Sequence, residues 1–113
     1  MPDDTLHTVE SVFGNTIRVT YRQWVHVAEN HDYMSGNLDK VLETIAAPRL
    51  VLRGLHGESL ALRDYENTNI TRKTCVVVYR DEPNSFLITA FLTSKPHKIE
   101  QKGELLWSRS QTS

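Results

Sequence analysis

The chain is nearly devoid of cysteine. Its one thiol, Cys75, lies within the apolar run Cys75-Val76-Val77-Val78. A single thiol excludes a disulfide framework, and in such a run cysteine behaves as a small buried hydrophobe rather than a nucleophile. Long hydrophobic runs are lacking too: nothing is long enough to span a bilayer, and no N-terminal apolar stretch has signal-peptide form. The expectation is an intracellular, reducing, cytoplasmic setting with no membrane partner. A large excess of either charge is also lacking, since the formal net charge is -1, so no global field draws the chain to nucleic acid. There are no internal repeats, low-complexity tracts or linkers. The five histidines, His7, His26, His31, His56 and His97, lack the spacing of a zinc site. His26 and His31 are separated by about 140° on a helix and cannot share one ion on its face. No metal and no cofactor are expected.

What is present fits a small globular domain. The 113 residues, 39% hydrophobic and 24% charged, suffice for one domain that buries roughly 65% of its unfolded surface. Residues 1–8 read as a loose N-terminus, 9–107 as the domain and 108–113 as a tail. Charge is uneven. Met1–Gly36 carries five acids against two bases, whereas Arg72–Ser113 carries seven bases against four acids, so a local basic patch in the C-terminal half is possible.

Strand-like Val9–Phe13 and Thr16–Thr20 flank Gly14-Asn15, a two-residue hairpin signal. Thr20 with Gln23 three places later is a capping box that starts a helix, and Tyr21, Trp24, Val25 and Ala28 follow helical spacing. Asp32–Gly36 breaks it. Leu38, Val41, Leu42 and Ile45 predict a second helix, ended by Pro48. The rest predicts strands: Leu50–Arg53, a strand around Leu60–Tyr65, Thr74–Arg80, Ser85–Thr93 and an edge strand Glu104–Trp107, with Asp81-Glu82-Pro83-Asn84 as a turn and Ser94–Gly103 as a basic loop. The expected fold class is α+β: an N-terminal hairpin and two short helices packed on one face of an antiparallel four- to five-stranded sheet.

The last long strand invites reading by face. Phe86, Ile88, Ala90 and Leu92 share one parity and are all apolar, which predicts a core face. Ser85, Leu87, Thr89, Phe91 and Thr93 share the other, mixing hydroxyls with a ring. Arg63 and Tyr65 share a face of their strand, and Lys73 has the parity of Cys75. If these parities align, Arg63, Tyr65, Lys73, Thr89, Phe91 and Thr93 form one surface. Arg and Lys neutralise phosphate, Thr hydroxyls bond its oxygens and aromatic rings stack unpaired bases. On the helical wheel His26 falls on the polar side and His31 at the edge of the apolar stripe. Histidine suits proton transfer because its ordinary pKa is near neutrality.

Phe13-Gly14-Asn15-Thr16-Ile17-Arg18-Val19-Thr20, Trp24-Val25-His26, His31 closing the helix, Leu42-Glu43-Thr44-Ile45 with Pro48, Cys75-Val76-Val77-Val78, Leu87-Ile88-Thr89-Ala90-Phe91-Leu92-Thr93 and Gly103-Glu104-Leu105-Leu106-Trp107 occur in this order. Together they resemble the small phage-type members of the barnase–EndoU–colicin–RelE-like (BECR) nuclease group, over about residues 9–107. The resemblance implies a metal-independent, toxin-like endoribonuclease that cleaves RNA through the ribose 2′-hydroxyl. It implies His26, His31, Thr89 and Thr93 as catalytic positions. Trp107 joins Arg63, Tyr65, Lys73 and Phe91 at the substrate. A cognate antitoxin or immunity protein is an implied partner. Asp32 stands where the family usually has proline, and Phe91 where tyrosine is commoner. The rival reading is a non-catalytic module of the same fold that holds RNA or a protein.

Overall fold

A computed structural model describes residues 4–109. Seven strands form one sheet: β1 (Thr5–Glu10), β2 (Thr16–Thr20), β3 (Leu50–Arg53), β4 (Ser59–Tyr65), β5 (Lys73–Tyr79), β6 (Ser85–Thr93) and β7 (Glu104–Ser108). Their spatial order is β1-β2-β6-β5-β4-β3-β7. Helices α1 (Tyr21–Asn30) and α2 (Leu38–Ala46) are joined by a 3₁₀ turn, Asp32–Gly36, and a short α3 (Pro96–Glu100) precedes β7. The class is α+β. Among the described residues no helix is long and apolar enough to cross a membrane.

The sheet is larger than the four to five strands expected because the N-terminal hairpin belongs to it. β2 pairs with β6 in parallel, through Ile17 opposite Ser85 and Arg18 opposite Phe86, while every other neighbour is antiparallel. The hairpin therefore extends the sheet instead of packing on it. Its strand also begins earlier, at Thr5, within the segment expected to be loose. Its connection is the longer Ser11–Asn15 loop rather than a two-residue turn, closed by the Ser11 N–H donating to the Asn15 carbonyl at 2.9 Å. Gly14 supplies the positive φ of +88° that this loop needs. Asp81 ties the loop to the far end of β5: its Oδ1 accepts from Ser11 Oγ at 2.7 Å and Asn15 Nδ2 at 2.9 Å.

Helix α1 starts where its capping residue places it. Thr20 Oγ1 accepts from the Gln23 N–H at 3.2 Å. Val27, Met34, Val41 and Ile45 are fully buried from the helical layer, against Ile17, Val19, Val51, Ala61, Cys75, Val77, Tyr79, Leu87 and Ala90 from the sheet. This is the inner face and holds the main core. The basic loop expected over Ser94–Gly103 contains α3, with Pro96 at its first turn. Ile99 carries α3 onto the outer face, where Leu52, Leu62 and Val76 make a second, smaller core.

The expected phase of β6 holds only in its second half. Val78 lies opposite Thr89, but Tyr79 lies opposite Leu87, so Ile88 is an extra residue. This bulge reverses the alternation. Ala90 and Leu92 point inward as expected, Leu87 joins them with no exposure, and Phe86 turns out to solvent with 42% exposure.

Candidate functional site

Register decides which of the expected site residues meet. Arg63 lies opposite Cys75, and Cys75 opposite Leu92, so Arg63 and Tyr65 belong to the inner face. They are anchored to α2. Arg63 Nη1 donates to the Ala47 carbonyl at 2.6 Å and its Nε lies 3.6 Å from Glu43. The Tyr65 hydroxyl donates to Glu43 Oε1 at 2.6 Å. Burial, then this bond, hold the phenol above its ordinary pKa. These two residues are therefore not part of a surface with Thr89 and Thr93, as parity alone suggested. Trp107 is also on the inner side: it lies opposite Val51 and packs on the main core.

On the outer face, Thr89, Phe91 and Thr93 follow one another along β6 after the bulge, all half-buried. β2 pairs only with the start of β6, so the later part of β6 presents a free edge on that side. The α1 C-terminus and the 3₁₀ turn fill it. The Tyr33 hydroxyl takes the Leu92 N–H at 3.4 Å and lies 3.5 Å from the Leu92 carbonyl, which satisfies strand groups that have no strand neighbour. His31 caps α1 beside it, its Nδ1 3.5 Å from the Tyr33 hydroxyl and its ring centroid 6.0 Å from that of Phe91. The 3₁₀ turn is fixed from a third side, since Asn37 and Asn69 both donate to the Tyr33 carbonyl at 2.9 Å.

His26 stands apart. It is exposed on the polar side of α1, its Nε2 3.1 Å from Asn30 Nδ2, and it borders a surface hollow with Asp4, Arg22 and Glu29. The structure brings His31, and not His26, to the hydroxyl strand.

A groove enclosing about 350 Å³ opens at the far end of β6, lined by Arg49, Asp64, Arg72, Lys73, Thr74, Thr93, Ser94 and Pro96. Two of its cations are engaged. Arg49 lies 2.7 Å from Asp64 and 2.9 Å from Glu100, and its hydrogen bond to Glu100 raises its already high pKa. Arg72 lies 3.4 Å from Glu66 in an exposed pair. Lys73 has no ion-pair partner among the described residues. By register it belongs to the inner face opposite Tyr65, but as the first residue of β5 it reaches the groove beside Thr93. Thr93 Oγ1 accepts from the Lys95 N–H at 3.0 Å, which leaves its own O–H to donate. Arg72 and Ser94 were not expected at a site. Their only signal in the sequence is adjacency to Lys73 and Thr93.

Three His, Cys, Asp or Glu side chains suited to hold one metal ion converge nowhere among the described residues. Comparison of the chain with family models, with curated proteins and with solved structures found no match in any of the three.

Proposed function

We propose that this protein is a metal-independent, toxin-like endoribonuclease of BECR type. The observation that carries the reading is the placement of His31 at the free edge of β6, 6.0 Å in ring centroids from Phe91, on a strand whose outward residues are Thr89 and Thr93. One proton-transferring side chain, one stacking ring and two hydroxyls thus line a short path that ends at the groove cation Lys73. The Lys73 ammonium and the Thr93 hydroxyl hold the scissile phosphate, and Thr89, about 13 Å back along the strand, donates to the phosphate of another nucleotide. Phe91 stacks a neighbouring base. His31 takes the proton from the ribose 2′-hydroxyl while its oxygen bonds to phosphorus. The bond from phosphorus to the 5′-oxygen breaks, water protonates that oxygen, the hydroxide left behind takes the proton from His31, and a 2′,3′-cyclic phosphate remains. Tyr33, in contact with His31 Nδ1, positions the imidazole.

Incubating purified protein with end-labelled single-stranded RNA in excess EDTA tests this. The expected result is cleavage with cyclic phosphate ends. Intact RNA, or cleavage that chelation abolishes, overturns the reading. RNA bound but never cut would select a non-catalytic binding module.

A further inference from the structure

The bulge at Ile88 exposes a second aromatic residue on the same outer face. Phe86 is 42% exposed, although β6 lies between β2 and β5 in the sheet. It lies opposite Arg18 in the parallel pair. One hollow beside it is lined by Arg18 and Arg22 together with Asp4, and another by Arg80 together with Glu82. Arginine thus flanks this ring on both sides. Phe86 and Phe91 stand five residues apart on one strand, about 16 Å at roughly 3.3 Å per residue. Neighbouring stacked bases are separated by only about 3.4 Å, so one nucleotide cannot reach both rings.

We infer that Phe86 is a second base-stacking subsite, which takes an unpaired base of single-stranded RNA several nucleotides away from the base over Phe91. This rests on the ribonuclease reading above and adds the form of its substrate: an extended single strand laid along β6, its phosphates passing the arginines near Phe86 at one end and Lys73 at the other. A duplex keeps its bases stacked on one another and offers this ring nothing. A base laid on this exposed ring covers its apolar surface, with guanidinium groups beside it.

Fluorescence anisotropy with a labelled dinucleotide and with a long unstructured RNA separates the possibilities, using wild type, Phe86→Ala, Phe86→Leu, Phe86→Tyr and Leu55→Ala. Leu55, 93% exposed in the β3–β4 turn, controls for the loss of any surface apolar group. Phe86→Ala and Phe86→Leu are expected to weaken binding of the long strand by about tenfold and leave the dinucleotide unchanged. Phe86→Leu keeps apolar bulk without a π face, which guards against a folding defect in Phe86→Ala. Phe86→Tyr and Leu55→Ala are expected to match wild type. Long-strand binding unaffected in both Phe86→Ala and Phe86→Leu, or weakened equally for both RNAs, overturns the subsite and leaves the ribonuclease reading standing. Wild type that binds neither RNA overturns both.

Discussion

The two faces of this sheet are made by the same strands and have opposite fates. The inner face is closed by α1 and α2 over a continuous layer from Ile17 to Val51. Among the described residues, the five of α3 are the helical cover of the outer face, and Ile99 packs on Leu52, Leu62 and Val76. Beyond Phe91 the outer side of β6 and β2 stays open, and there the outward side chains change to Thr89, Phe86 and Arg18. A single bulge thus divides one strand between buried and outward side chains in a phase that strict alternation does not give. Because an extra residue resets the phase, Leu87 upstream of Ile88 and Ala90 and Leu92 downstream of it all face inward. The same reset turns Phe86 outward.

Charge introduced at neighbouring positions of β6 should have very different effects on the two faces. Leu87→Asp places an unpaired carboxylate in the closed core and should cost several kcal/mol, a large share of a small domain's stability. Phe86→Asp should change stability by less than about 1 kcal/mol, with Ile88→Asp in between. Urea unfolding of the three variants checks the order; Ile88→Asp as the most damaging would place the bulge elsewhere.

The inner face should also reveal itself in alkali. Burial pushes the Cys75 thiol from its ordinary 9.0 up to about 11. Above pH 9 the unfolded chain ionises this thiol while the folded chain keeps the proton. The contribution is therefore intact below about pH 9 and is lost as pH rises towards 11, a fall on the order of 2–3 kcal/mol. Tyr65 and Tyr79, also raised by burial, add to the loss at still higher pH. Cys75→Ala should be less stable at neutral pH yet show a shallower decline between pH 9 and 11. Equal slopes in denaturation series would show that the thiol is not sealed.

A smaller effect separates inner-face polar residues from the site. Tyr65→Phe removes the bond to Glu43 and should cost about 1 kcal/mol with RNA cleavage unchanged. A cleavage defect without loss of stability would return Tyr65 to the substrate. Smallest in stability is Lys73→Ala, expected within about 0.5 kcal/mol of wild type. It should weaken RNA binding and reduce the slope of log affinity against log salt by about 0.7, the release expected from one phosphate contact on a single strand. Binding and slope identical to wild type would remove Lys73 from the phosphate site.

Local signals in the sequence were sound where a side chain reports on its own neighbourhood. Thr20 and Gln23 located the start of α1, Pro48 the end of α2, and the turn residues the ends of β5 and β6. The wheel put His26 in solvent and His31 at the margin of the apolar stripe, where they are found. Signals failed where the answer depends on a partner strand. Leu87 and Phe86 are both apolar, so alternation alone gives no reason to suspect a bulge. Arg63 and Tyr65 carry the residue types of a phosphate site, but only pairing with Cys75 assigns them to the helix side. The parallel junction of β2 and β6 joins residues far apart in the chain, and no local pattern records it. Pro96 and Ile99 mark α3 once it is seen, but five residues leave too short a period to detect.

In the proposed ribonuclease, the outer-face edge held by His31 does the chemistry and the exposed His26 does not. Rates of RNA cleavage in EDTA for wild type, His31→Ala and His26→Ala test it most directly. The expected result is a loss of about 100-fold or more in His31→Ala, the scale of a missing general base, with His26→Ala near wild type and all three proteins equally folded. Full activity in His31→Ala, or a loss confined to His26→Ala, would contradict it.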